Sequence, residues 1–266
     1  MKTDNDWRRV TKEHPCPRCG KPDWCVISKT TVLCMRVQSN RPSKGEAGGW
    51  LHPLDTDRVE LPPKEPKKPT IDAAQIISDW AERTKAEWVQ AFAKQLGVSY
   101  TALACLGCCW SPGHRAWAFP MKDGHERTVG IRLRSVDGKK WAVPGSHAGL
   151  FIPQTKCNNT GYICEGPTDT AAAVSLGVFA IGRPSCQGGV AHITTLFTRK
   201  QIVRAVIMCD NDKPGLIGAS RLQGELKIPS CIMVPPTKDV REFLGMGGDQ
   251  TLLNSLLAPL VWRQPC

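Results

Sequence analysis

The apolar positions of the chain fall into three rhythms. From Gly161 onward, short apolar runs, GYIC (161–164), VFAIG (178–182), RAVIMC (204–209) and CIMVPP (231–236), alternate with the longer segments TDTAAAVSLG, GGVAHITTLFTRK, GLIGASRLQGEL and KDVREFLGMGG. Continuous apolar runs of this length read as buried strands and the segments between them as helices. The alternation predicts βαβ units around a mostly parallel sheet over 161–266, an α/β lobe of Rossmann-like type. Functional sites in such sheets lie at the carboxyl ends of the strands. Between residues 71 and 97 the period changes: Ile76, Ile77, Trp80, Trp88, Phe92 and Leu96 recur at helical spacing, with no interior proline and with Gly97 at the end. One or two amphipathic helices fit this segment. From 110 to 160, RAWAFPM, TVGIRLR, WAVPG and GLFIP are separated by KDGHE and SVDGKK, a pattern of short strands and turns. Residues 71–160 are therefore expected to form an α+β lobe.

The first fifty residues have too few large apolar groups for an ordinary core, and their chemistry lies in cysteine. Cys16 and Cys19 stand in a Cys-x-x-Cys-Gly knuckle, followed by Cys25 and Cys34. Trp24 to Ser28 and Thr31 to Leu33 read as a hairpin about Lys29 and Thr30, which sets Cys25 opposite Cys34. Four thiolates so arranged suit one structural Zn2+ in a zinc-ribbon-like module of residues 1–52. Val37 stands where a second Cys-x-x-Cys would close, so His52 or His14 is an alternative to Cys25 as fourth ligand. Residues 53–70, PLDTDRVELPPKEPKKPT, are rich in proline and charge and read as an extended linker. Cys105, Cys108 and Cys109 lie in the apolar run TALACLGCCW and read as small buried residues rather than a second metal site.

Charge sharpens the picture. Lys plus Arg number 35 against 24 Asp plus Glu, a net +11, which favours a polyanionic partner, nucleic acid ahead of an anionic membrane surface. Between 110 and 160, eight basic residues face three acidic ones. In TVGIRLR, Arg132 and Arg134 alternate with Ile131 and Leu133, so one strand face packs while the other is basic, and Lys139 and Lys140 follow at a turn. Thirteen cysteines without a secretory leader point to metal ligands and buried thiols rather than disulfides. No run of about 18 apolar residues predicts a membrane span, and a cytoplasmic setting is expected.

The acids gather by position. Glu165 ends GYIC with Asp169 four residues on; Asp210 and Asp212 end RAVIMC; Lys238 and Asp239 follow CIMVPP. Alternate residues of an extended chain point the same way, so Asp210 and Asp212 can converge on one hard cation. Asp, Asn, Pro and Gly also form turns, and Asp169 and Asp239 suit helix amino-terminal caps. Capping accounts less readily for Glu165 together with the Asp210 and Asp212 pair.

The motifs Glu165-Gly166-x-x-Asp169, Asp210-x-Asp212-x-x-Gly215 and Lys238-Asp239-x-x-Glu242-Phe243-Leu244 resemble the signature of the Toprim superfamily, shared by bacterial-type primases, topoisomerases and some nucleases. With the cysteine module and the basic segment, the chain resembles a Toprim DNA primase of bacterial, phage or mobile-element type. The resemblance implies that Glu165, Asp210 and Asp212 bind two divalent ions, Mg2+ or Mn2+, and serve primer synthesis from nucleoside triphosphates on single-stranded DNA. It casts Arg132, Arg134, Lys139, Lys140 and Lys238 as contacts to triphosphate or template, with Asp169 and Asp239 as supporting acids. The runner-up readings are a metal-dependent nuclease and a non-catalytic zinc-bearing DNA-binding regulator. Neither Tyr100 nor Tyr162 has the setting of a strand-cleaving nucleophile, which disfavours a topoisomerase. No Gly-x-x-x-x-Gly-Lys-Ser/Thr loop occurs, so a helicase partner is expected to be a separate chain.

Overall fold

Antiparallel pairing starts the chain and parallel pairing ends it. A computed structural model describes residues 7–43, 48–54, 61–62, 71–185 and 188–265, and the chain divides into two units, Met1–Pro69 and Thr70–Cys266.

In the first unit, β1 (Arg8–Arg9), β2 (Val26–Ile27), β3 (Thr31–Cys34) and β4 (Trp50–Pro53) form one antiparallel sheet in that order. The hairpin pairs Val26 with Leu33 and Ile27 with Val32, and the register continued by one residue sets Cys25 across from Cys34. Trp24, expected within the first arm, stands outside it with φ of 66°, a left-handed conformation that cannot continue a strand. The core is small, Val10, Ile27 and Val32 with the buried Cys16, Cys25 and Cys34. A core of that size needs a metal or crosslink to hold a single structure. Of the 53–70 linker, only 53, 54, 61 and 62 are described; Leu54 and Leu61 pack against this core, and the remainder of that reading lies outside the described residues.

The second unit opens with α1 (Ala73–Arg83), α2 (Ala86–Leu96) and α3 (Tyr100–Cys105). The 71–97 segment is thus two helices: Asp72 caps the first by accepting from the Gln75 N–H, and Gly97, at φ of 71°, closes the second. An antiparallel sheet follows, β5 (Cys109–Ser111), β6 (Ala116–Lys122), β7 (Thr128–Ser135) and β8 (Lys140–Ala142). One face of it, with Ala116, Ala118, Ile131 and Leu133, packs under Ile76, Ile77 and Trp80 of α1. Cys108 and Cys109 are buried and Cys105 is half-buried, as small core residues would be.

From Thr160 the chain alternates β9 (Thr160–Glu165), α4 (Gly166–Ser175), β10 (Ala180–Arg183), α5 (Val190–Arg199), β11 (Arg204–Met208), α6 (Lys213–Glu225), β12 (Ser230–Met233), α7 (Val240–Gly245) and α8 (Gln250–Leu257). The four strands are parallel in the order β10-β9-β11-β12, the mixed α/β architecture read from the apolar runs. On one side of this sheet, Ile163, Ile181 and Ile207 meet Ile193 and Leu196 of α5 and Leu222 of α6. On the other, Val206 and Met208 join Ala171 to Ala173 of α4, Phe92 of α2 and Trp117 and Phe119 of β6 in one shared core. Each large side chain fully buried there contributes about 1.5–3 kcal/mol. GLFIP, expected as a strand, is instead a connector. Leu150 bridges to Lys122 of the antiparallel sheet and Phe151 to Gly182 of the parallel one.

Candidate active site at the carboxyl ends of the parallel strands

The parallel register converts sequence positions into neighbours. Ile207 pairs with Ile163, so two residues on Cys209 lies beside Glu165, and Asp210 emerges one step beyond. Glu165 occupies the cap position of α4, and Gly166, at φ of 74°, turns the chain into that helix. On the β11 side, the Asp212 N–H donates to the Asp210 carbonyl at 2.8 Å, and Asp212 Oδ1 accepts from the Gly215 N–H at 2.7 Å to cap α6. A Cβ on Gly215 would come within 2.5 Å of the Asp210 carbonyl oxygen, so only glycine lets α6 start this close to the acids. The Asn211 N–H donates to the Lys238 carbonyl at 2.7 Å, tying this loop to the one after β12. There Asp239 caps α7 by accepting from the Glu242 N–H at 2.7 Å.

Capping therefore explains one oxygen each of Asp212 and Asp239. It does not explain Asp169, which the sequence pattern had allowed as a cap. Its carboxylate is buried inside α4, and its Oδ1 makes no hydrogen bond among the described residues. Glu165 Oε1 is likewise buried without a hydrogen bond, 3.9 Å from a guanidinium nitrogen of the buried Arg183. Arg183 sits directly opposite Glu165 in the β9–β10 register.

Burial and mutual repulsion shift these acids together. Burial pushes the Glu165 carboxyl up to about 7, with Arg183 opposing and Asp210 and Asp212 reinforcing. Asp169 is also pushed up to about 7, by burial first and then by Asp239 and Asp210, against Lys140 and Arg241. Asp210 is raised by burial, Asp239 and Asp212, against Lys140 and Lys238. Desolvated carboxylates with unanswered oxygens, held by like charges, form the donor set a hard divalent ion satisfies. They are set more widely than a closed cage. Among the described residues, the only group of three or more candidate ligand atoms all within 4.8 Å of one another is the four sulfurs of the first unit.

The cations come from the antiparallel sheet. Arg134 pairs with Lys140 across β7 and β8, and both lie on the face that carries Trp117 and Phe119. Lys140 acts on Glu165, Asp169 and Asp210, and Arg134 feels Asp169 and Arg241. Arg132, on the same face, donates to the Pro184 carbonyl at 3.1 Å, so it braces the segment after β10. Lys139 is exposed, and the register, continued through Ser135, sets it on the face opposite Lys140. Lys238 is exposed, and its N–H donates to Glu242 Oε2 at 2.7 Å. Arg183 and Arg241 were missed in the sequence reading. Arg183 had a visible signal, since it ends its strand as Glu165 ends the neighbouring one.

In the amino-terminal unit, Cys16, Cys19, Cys25 and Cys34 gather their sulfurs, with Cys19 to Cys25 at 3.7 Å and Cys25 to Cys34 at 3.9 Å. A tetrahedron with arms of about 2.3 Å has edges of about 3.8 Å, so the four fit zinc. The Val37 N–H donates to Cys34 Sγ at 3.2 Å, keeping the backbone of a metal knuckle while Cys25 supplies the missing thiol. His52 pairs with Val32 in β4, and its Nε2 donates to the Val37 carbonyl at 3.0 Å; neither it nor His14 joins the cluster.

No family model matches the chain. The gene 57 protein of Mycobacterium phage D29 is 27% identical over 152 residues, 55% of this chain and 92% of that protein. The E. coli primase catalytic core is similar in structure, with a TM-score of 0.58 at 13% identity over 71% of this chain and 79% of that one. A DnaG primase catalytic domain bound to single-stranded DNA gives 0.57 at 14% identity over 71% and 78%. The mixed α/β architecture is thus that of the primase catalytic cores, and the first unit adds a four-cysteine cluster that fits a zinc-binding module. More particularly, the primase fragment of the bacteriophage T7 primase-helicase matches over 90% of this chain and 96% of that one, with a TM-score of 0.51 at 16% identity. Among the described residues no helix is long and apolar enough to cross a membrane.

Proposed function

We propose that the chain is a primase, a nucleotidyltransferase that joins nucleoside triphosphates into short primers on single-stranded DNA. The observation that carries this reading is the set of desolvated carboxylates at adjacent strand ends, facing a basic sheet face. Glu165, Asp210 and Asp212 would hold two divalent ions, Mg2+ or Mn2+. When bound, such ions supply Lewis-acid activation of a 3′ hydroxyl and neutralise charge at the attacked α-phosphate. Glu165 completes the ion site or helps to deprotonate the hydroxyl; its carboxyl, pushed up to about 7 by burial while no ion is bound, would be drawn back down by a bound cation. Lys140 and Arg134 hold phosphates beside the acids, Lys238 offers a further charge at the rim, and Asp169 and Asp239 shape the negative field. Arg132 acts by bracing the end of β10, and Lys139 adds charge on the outer turn. A Zn2+ on Cys16, Cys19, Cys25 and Cys34 orders the amino-terminal module, which would meet the template. Unwinding is left to a separate helicase, and the setting is the cytoplasm of a bacterial cell or a phage-infected host.

The test is incorporation of labelled ribo- and deoxynucleotides on single-stranded DNA with Mg2+ and with Mn2+. Asp210→Ala and Asp212→Asn should each abolish synthesis; asparagine keeps an oxygen for the α6 cap, so a lost cap does not confuse the result. Intact synthesis in either variant refutes the assignment. Cleavage of nucleic acid without nucleotides would favour the nuclease, and DNA binding that ignores Mg2+ with no incorporation would favour the regulator.

A further inference from the structure

Trp88, Trp110 and Trp117 wall an apolar pocket of about 290 Å3 in the second unit. Its walls are fixed. Trp117 is stacked on Phe92 with ring centroids 4.4 Å apart and planes 6° from parallel, and Trp110 stands edge-on to Trp117 at 5.2 Å and 71°. Trp88 is 41% exposed on α2, and Lys85 Nζ lies 5.7 Å from its ring centroid at the outer side. Burying three indoles in a core needs no opening, yet here an exposed indole and a cation border a slot between aromatic walls.

The strand registers place the slot on the sheet face that carries the basic residues, with Trp117, buried against Phe92, as its inner wall. Trp110 pairs with Trp117, Trp117 with Arg134, and Arg134 with Lys140, so the four occupy one row on one sheet face. Three interstrand steps of about 4.8 Å make the row roughly 14 Å long. Its far end, Lys140, acts on Glu165, Asp169 and Asp210. Aromatic walls at one end, then two cations, then the acids are the sequence of chemistries that a single nucleic-acid strand presents: a planar base, then phosphates, then a reacting end. An apolar protein segment would have no use for the basic row.

We infer that the tryptophan pocket seats a base of the single-stranded nucleic acid whose backbone runs over Arg134 and Lys140 toward the carboxylates. This rests on the primase reading for the identity of the strand, and extends it by naming the stacking residues. Stacking on a π-face ignores base identity, so the pocket would hold the strand without choosing its sequence.

The test uses the full chain with a dye-labelled oligothymidylate, read by fluorescence anisotropy without nucleotides or Mg2+. Trp88→Ala and Trp110→Ala should each weaken binding about tenfold, the range of one lost base stack, and the phenylalanine variants should restore most of it. The slope of log K against log salt should stay unchanged, because no phosphate contact is lost. An oligomer of abasic sugar-phosphates should bind wild type and variants alike. Circular dichroism checks folding; if Trp110→Ala is perturbed, the exposed Trp88 decides alone. Wild-type affinity in Trp88→Ala, an equal loss on the abasic oligomer, or no binding by the wild type would each overturn the proposal. Because no synthesis is read, unaltered binding in a variant of an active polymerase sinks only the pocket, whereas base-dependent binding by an inactive protein sinks only the primase reading.

Discussion

Acidifying the protein in the absence of divalent ions should stabilise its second unit. Glu165 and Asp169 are each pushed up to about 7 by burial, whereas in an unfolded chain such groups titrate near 4. Between about pH 4 and 7 the folded state therefore binds more protons than the unfolded one, so stability is greatest at the acid end and falls as pH rises through 7. Going from pH 8 to 5.5, each group gains roughly 1.5 pH units of preferential protonation, or about 2 kcal/mol, and the pair about 4 kcal/mol. Asp210, raised in the same direction, adds to this. Urea unfolding followed by far-ultraviolet circular dichroism reads the right unit, since every described helix lies between Ala73 and Leu257. After dialysis against buffer free of Mg2+ and Mn2+, the midpoint should be higher at pH 5.5 than at pH 8. Glu165→Gln/Asp169→Asn should remove most of that difference. Added Mg2+ should raise the midpoint at pH 8 and have little effect at pH 5.5, where protons occupy the same oxygens. A wild-type midpoint that is flat or lower at pH 5.5 would refute the account of these carboxylates.

Two further outcomes follow from local geometry. Cys25→Ser should cost the amino-terminal unit its zinc, while His52→Ala should retain one zinc per chain by elemental analysis, since that imidazole is engaged with the Val37 carbonyl. Gly215→Ala should cost about 1–3 kcal/mol in chemical denaturation and reduce incorporation further than that loss explains, because the added methyl group displaces the Asp210 backbone itself.

The parallel sheet and its acids were legible because three of its four strands are short apolar runs that stop at a charge: GYIC at Glu165, VFAIG at Arg183, RAVIMC at Asp210. Run length and the residue that ends each run carry that information. What escaped depends on partners distant in sequence. WLHP gives no strand signal of its own, yet as β4 it pairs with Thr31–Cys34, and His52 within it is engaged with the Val37 carbonyl rather than with the thiols. GLFIP has strand composition but splits its pairing between two sheets, so it is a strand in neither. Asp169 looked like a cap because acids open helices; only the closing of the core around α4 shows it buried within the first turn. The cysteine hairpin was readable by counting residues to Cys34, and its early end at Trp24 was not, because a non-glycine residue with positive φ has no composition signature.

The connector at 150–151 has a mechanical consequence. Lys122 and Leu150 exchange two backbone hydrogen bonds of 2.7 and 2.8 Å, and Phe151 and Gly182 exchange two of 2.9 Å. Two adjacent residues thus rivet both sheets together, one through each peptide edge, next to the strand that ends in Arg183. With the sheets so fastened, the basic row and the carboxylates cannot swing apart like the jaws of a clamp. For the proposed primase, nucleotide and strand would then enter a gap that these four hydrogen bonds restrain, with any gating of turnover expected from segments outside the two sheets.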